Sequence, residues 1–179
     1  GYAVVFHPTP DFISAMLEKS NFHIIAVAPD SMSVNFLRDS FDNSGLSGHR
    51  LAFLKGDPAT FKLPPYMASL IVINNADKND DHIVDNLYNA LRPFGGTLWF
   101  DLKKRHQKKI LKTLSKEQKQ NKITFKEGLG IFRKGPLKGA ANWTHQYGNI
   151  SNTIKSDDQL VKLPLGLLWF GGNSNVDVL

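Results

Sequence analysis

Five short apolar runs, spaced along the first 101 residues and separated by stretches of helical periodicity, constrain this chain more than anything else in it. They are Tyr2–Phe6, His23–Val27, Leu51–Lys55, Ala68–Asn74 and Thr97–Asp101. Most are continuous rather than alternating, which is the pattern of strands covered on both faces. Between them, Asp11–Lys19 places Ile13, Met16 and Leu17 on one side of a helix. Ser33–Ser44 carries Val34, Leu37 and Phe41 at helical spacing, with Gly45 as a stop. Asp81–Leu91 aligns Val84, Leu87 and Leu91 ahead of Pro93. Alternation of this kind predicts an α/β sandwich built on a mostly parallel sheet.

The pattern then changes twice. Leu102–Gln120 reads as a longer helix with Ile110, Leu111 and Leu114 inward, and Ile123–Lys126 and Gly130–Arg133, separated by Gly128, read as an antiparallel hairpin. From Gly135 the texture is linker-like, followed by a polar stretch and the apolar run Leu163–Phe170. The expected organisation is a layered domain over 1–138 and a linker with the start of a strand segment over 139–179. About 45 residues are too few for an independent core.

The first loop is chemically unusual. A strand, a tight loop and a helix at the head of an alternating chain is where a nucleotide-type cofactor normally sits. Such a loop needs glycine to turn sharply and let the backbone approach the ligand. Here it reads His7-Pro8-Thr9-Pro10-Asp11. The two prolines cannot take positive φ and offer no N–H.

The absence of Cys excludes disulfides, thiolate metal sites and Cys nucleophiles. No apolar run approaches the ~20 residues that span a bilayer. The chain starts at Gly1 rather than Met and reads as a segment cut from a longer protein. Its net charge of +6 is unevenly placed. Residues 1–102 carry 7 basic and 11 acidic groups, whereas 103–138 carry 13 basic and 2 acidic. The cationic run from Lys103 to Lys109 is a candidate surface for a polyanion. Without interleaved aromatics for base stacking, a solvated outer helix face is the plainer reading.

The order of elements, the long helix after the fifth strand and the terminal hairpin resemble the class I S-adenosylmethionine (SAM)-dependent methyltransferase fold over residues 1–134. The resemblance implies a Rossmann-like three-layer sandwich and a SAM site whose equivalent positions are His7, Thr9, Asp11, Ala28, Asp30, Gly56, Asp57 and Asn74. Most depart from the family pattern. Val5 stands where the first strand carries an acid, and His7, Thr9 and Asp11 stand for the three loop glycines. Ala28 stands for the ribose-binding acid; Asp30, two residues on, is a candidate substitute for it, with capping of the next helix as the plainer role. Gly56-Asp57 matches the adenine-contacting pair, with a turn before Pro58 as the plainer role for Asp57. Asn74-Asn75 matches the substrate-side motif loosely.

The tail carries a second resemblance. Trp143-Thr144-His145-Gln146-Tyr147-Gly148, Asn152-Thr153 and Leu165–Phe170 look like the opening blade of bacterial pyrroloquinoline-quinone-type β-propeller proteins. This implies that the chain precedes the remainder of a propeller protein, or pairs with another copy, through residues 163–170. It also implies an exported parent, periplasmic or in the cell envelope; otherwise the chain is cytoplasmic. Trp143, Tyr147 and Trp169 are expected as packing anchors rather than a ligand platform.

Other constellations are weak. Asp77, Asn79, Asp80 and Asp81 lack the glycine and the closing Glu of a calcium loop. The six histidines show no zinc spacing, so no metal is expected. No catalytic residue is nominated, though His7 is a candidate ligand contact or acid/base group. Three functions stay open: a degenerate methyltransferase-like domain with a structural or binding role and no cofactor, an active SAM-dependent methyltransferase, and a polyanion-binding module.

Overall fold

A computed structural model of the chain describes residues 1–74, 83–101, 122–126 and 129–161. The chain divides into two compact units, Gly1–Gly135 and Pro136–Leu179. In the first, the elements run β1 (Tyr2–Phe6), α1 (Pro10–Lys19), β2 (His23–Ala28), α2 (Ser31–Phe41), β3 (Leu51–Lys55), β4 (Ala68–Ile73), α3 (Ile83–Tyr88), β5 (Thr97–Asp101), β6 (Lys122–Lys126) and β7 (Leu129–Arg133). The described strands form one seven-stranded sheet in the order β3-β2-β1-β4-β5-β7-β6. The first five strands pair in parallel, and β7 inserts antiparallel between β5 and β6. This is the Rossmann-like, mostly parallel sandwich with a terminal hairpin that the sequence predicts.

Both faces of the sheet are core. Val5, Ala26, Ala28 and Val72 pack with Ile13 of α1 and with Val34, Leu37 and Phe41 of α2. Val4, Phe6, Val27, Ile71, Ile73, Leu98, Phe100 and Phe132 pack with Ile83, Val84, Leu87 and Tyr88 of α3. Neighbouring residues of one strand point to opposite faces, so strands buried on both sides read as unbroken apolar runs. Phe100 of β5 lies opposite Gly130 of β7, and its ring fills the space a Cβ would take.

Several boundaries differ from expectation for local reasons. α1 starts one residue early because Thr9 is its N-cap and Pro10 its first residue, where a missing N–H costs nothing. α2 starts at Ser31, capped by Asp30. It tightens after Phe41 into a 3-10 turn over Asp42–Ser44, which Gly45 ends at φ +66°. α3 stops at Tyr88 rather than Leu91. Leu91 leaves the helix to bridge Ala68, with Ala68 N–H donating to Ala90 O and Arg92 N–H to Ala68 O.

Lys134 is 2% exposed. Its Nζ donates to Tyr88 O at 2.9 Å, at the C-terminus of α3, and lies 4.3 Å and 5.0 Å from the ring centroids of Tyr88 and Tyr66. A cation buried against a helix C-terminus and two ring faces ties the end of β7 to α3.

The described part of the second unit, 136–161, contains turns and loops and no helix or strand. Asp158 holds it together, its carboxylate accepting from the N–H groups of Ala141, Leu160 and Val161. Trp143 and Tyr147, expected as packing anchors, are instead 58% and 47% exposed. Among its described residues the segment is organised by turn hydrogen bonds, which leave both rings largely in solvent. The expected helix Leu102–Gln120, the acidic stretch Asp77–Asp81 with His82, Asn75, and the run Leu163–Phe170 with Trp169 lie outside the described residues. No described helix is long and apolar enough to cross a membrane.

Candidate functional site

β1 lies at the point where the strand order reverses, with β2 on one side and β4 on the other. In open parallel sheets, ligands bind in the crevice beyond the carboxyl ends of the strands at such a point. The topology brings all eight positions singled out in the sequence to this end of the sheet. His7, Thr9 and Asp11 follow β1, Ala28 and Asp30 lie at the end of β2, Gly56 and Asp57 follow β3, and Asn74 follows β4. Main-chain hydrogen bonds continue the sheet through them: His7 N–H to Val27 O at 3.0 Å, Gly56 N–H to Ala28 O at 2.9 Å and Asn74 N–H to Phe6 O at 3.2 Å.

The first loop keeps the bend of a glycine loop without a glycine. His7 takes it, with φ +52°, the left-handed region in which non-glycine residues are uncommon. Asn74 Nδ2 reaches across from the end of β4 to His7 O at 3.4 Å. The rest of the loop is committed to starting α1. Thr9 Oγ1 accepts from Phe12 N–H at 3.3 Å, and the exposed Asp11 sits in the first turn, where a negative charge suits the helix dipole.

The acids are likewise engaged locally. Asp30 Oδ1 accepts from Ser33 N–H at 2.8 Å and Oδ2 from Ser33 Oγ at 3.1 Å. These bonds, the backbone one first, hold its carboxyl below the usual Asp range. Asp57 Oδ1 accepts from Ala59 N–H at 2.9 Å, while its main-chain oxygen accepts from Thr60 and Phe61. Ala28, in place of a ribose-binding acid, is 2% exposed and part of the core beneath α1 and α2.

Gly56 has a packing reason to be glycine. The ring of Phe61 folds back over it, so that an added Cβ would fall inside the ring's contact radius. Phe61 also meets Phe6 edge-on, with centroids 5.9 Å apart and planes at 81°. Asn86 clips the loop from α3, its Nδ2 donating to Pro58 O at 2.8 Å and to Phe61 O at 3.3 Å. The sequence reading matched Gly56-Asp57 to a ligand motif but did not see Phe61. Its only sequence signal is an aromatic five residues after a glycine at a strand end. Among the described residues no group of three or more His, Asp or Glu is placed to hold a metal ion.

Beside the crevice, the β1–α1 loop and α2 enclose an open cleft of about 400 Å³ lined by Pro8, Thr9, Pro10, Met32, Ser33, Phe36 and Leu37. The sequence reading missed it. Its signal was legible: Met32 and Phe36 stand four residues apart on α2, off the stripe of Val34, Leu37 and Phe41.

No protein-family model matches the sequence, and no curated protein matches it. Solved structures match the fold. A candidate SAM-dependent methyltransferase from Methanococcus maripaludis superposes with a TM-score of 0.55 at 15% identity, over 76% of this chain and 77% of that one. A candidate methyltransferase from Bacillus halodurans gives 0.54 at 12% identity, over 76% of this chain and 93% of that one. PigF, solved with S-adenosylhomocysteine (SAH), gives 0.55 at 16% identity; the match covers 74% of this chain but half of PigF. At these identities the likeness is one of fold, and the fold is that of the class I methyltransferases.

Proposed function

We propose that residues 1–138 are a methyltransferase-like domain that has lost its cofactor and serves a structural or binding role ahead of a β-propeller. The observation that carries this reading is the local commitment of the polar groups at the cofactor-type positions. Thr9 and Asp30 cap helices, Asp57 closes a turn, and Asn74 binds the main chain of His7. Pro8 and Pro10 supply no N–H where the family loop presents them. A SAM ribose would meet Ala28 instead of a carboxylate, and its adenine would have to compete with Ala59 for Asp57. The propeller context rests on Trp143–Phe170. An exported parent of that kind would meet little SAM.

An active methyltransferase is the second reading, favoured by the left-handed bend at His7, which keeps the course of a glycine loop. Titration calorimetry and thermal shift with SAM and SAH separate the two. The proposal expects no binding at sub-millimolar ligand. A stabilisation of several degrees, abolished by Asp57→Ala, overturns the proposal and favours the second reading.

A further inference from the structure

We propose that the cleft between the β1–α1 loop and α2 docks a basic, amphipathic peptide segment of a partner protein. Of the cofactor-type positions the cleft wall includes Thr9 and its rim Asp11 and Asp30; Met32 and Phe36, on which the inference turns, are not among them.

The walls are rigid and apolar. Pro8 and Pro10 have fixed φ, and the loop between them is held by the Thr9 cap. Opposite them α2 presents Met32 and Phe36, which are 83% and 61% exposed although the helix already buries Val34, Leu37 and Phe41. The helix therefore carries two apolar stripes, one in the core and one open to solvent beside two prolines. Single exposed apolar residues are ordinary, but a contiguous patch with a cleft at its centre is the mark of a contact surface. Its volume of about 400 Å³ takes one or two large side chains rather than a flat face.

The charge around the cleft specifies the partner. Asp11 follows Pro10, Asp30 precedes Met32 by two residues, and Asp39 lies one turn beyond Phe36; all three are exposed. Across 10–44 the five acids Asp11, Glu18, Asp30, Asp39 and Asp42 outnumber Lys19 and Arg38; Arg38 donates to Phe53 O, and Lys55 at the end of β3 is the cation that acts on Asp30, so Asp11 and Asp39 are the rim acids left for a partner. An apolar cleft framed by acids on both helices complements apolar side chains flanked by Lys or Arg, as on one face of a cationic helix. An acidic or neutral segment would bring either repulsion or unpaired charge to the rim.

The test is fluorescence anisotropy on the full chain, using a labelled Lys/Leu amphipathic peptide and a Glu/Leu peptide of equal length. The Lys/Leu peptide should bind and the Glu/Leu peptide should not. Met32→Lys and Phe36→Lys, on exposed positions that leave the fold intact by circular dichroism, should each weaken binding by about tenfold or more. Asp11→Asn with Asp39→Asn should weaken it about threefold and flatten its salt dependence. Binding of both peptides alike, or binding of the Lys/Leu peptide that neither α2 variant alters, overturns the proposal. So does the absence of any binding by the Lys/Leu peptide at low salt.

Discussion

Replacing Gly56 with Ala tests whether that glycine answers to a ligand or to Phe61. An ideal Cβ at this position would stand 2.8 Å from Phe61 Cε2 and 3.1 Å from Cγ, with Cδ2 nearer still. The ring would have to retreat by about 1 Å to restore ordinary contact. It is not free to do so: Phe61 N–H donates to Asp57 O at 2.8 Å, Asn86 holds its carbonyl, and Phe6 packs against its edge. Overpacking of this kind costs about 1–3 kcal/mol. Loss of glycine's freedom in the unfolded chain returns about 0.5 kcal/mol, because Gly56 does not take a positive φ. The net expectation is a loss of about 1–2 kcal/mol, or about 3–8 °C in Tm for a domain of this size. In a Phe61→Ala background the same substitution should be neutral or slightly stabilising, giving a coupling of about 1.5 kcal/mol or more. Urea unfolding followed by circular dichroism, with equal slopes in all four proteins, measures the cycle. An equal loss in both backgrounds refutes the packing argument. A neutral Gly56→Ala in the intact protein refutes it as well.

Lys134→Ala should cost about 3 kcal/mol, since it removes the donor from Tyr88 O, two cation–ring contacts and a buried stem; Lys134→Met should recover part of that, and a loss below about 0.5 kcal/mol in urea unfolding would show the anchor to be idle. Asp30 contributes through its ionised form: the bonds from Ser33 hold its folded carboxyl below the ordinary Asp value, so its contribution is present above that pH and disappears as acid protonates the folded state. Asp30→Asn keeps a good cap at neutral pH and should reduce the fall of Tm as the pH drops below the ordinary Asp value; an unchanged acid profile would count against the cap's ionic role. Truncation after Lys138 should leave a folded domain with little change in Tm, and a drop of about 10 °C or more would make the tail part of its core.

The sheet was legible because of where it lies. Ala3–Phe6, Ala26–Ala28 and Ile71–Ile73 face core on both sides, and such strands announce themselves as apolar runs. Helix ends were harder. Leu91 has the right periodicity for α3 and is fully buried, yet it is buried as a bridge to Ala68. Periodicity reports burial and not the backbone state that achieves it. At the site, missing glycines and a missing acid were plain from His7, Thr9, Asp11 and Ala28. The capping roles were partly so, because Thr-Pro-Asp and Pro-Asp-Ser are helix starts. What the reading could not reach depends on chain reversal. Phe61 explains Gly56 only once the loop has folded back, and Lys134 becomes a buried cation only when β7 ends beside α3.

The position of β7 between β5 and β6 also bears on how the chain is made. The parallel core β3-β2-β1-β4 needs only residues up to Ile73 and can close while the rest is still being synthesised. β5 can join that core, but among the described strands its outer edge gains a neighbour only when Leu129–Arg133 has emerged, because β6 reaches the sheet only through β7. For the time the ribosome takes to add about thirty residues, the nascent domain carries an open parallel edge. A stalled or shortened chain ending before Leu129 would keep that edge permanently, and self-association is the fate expected of it.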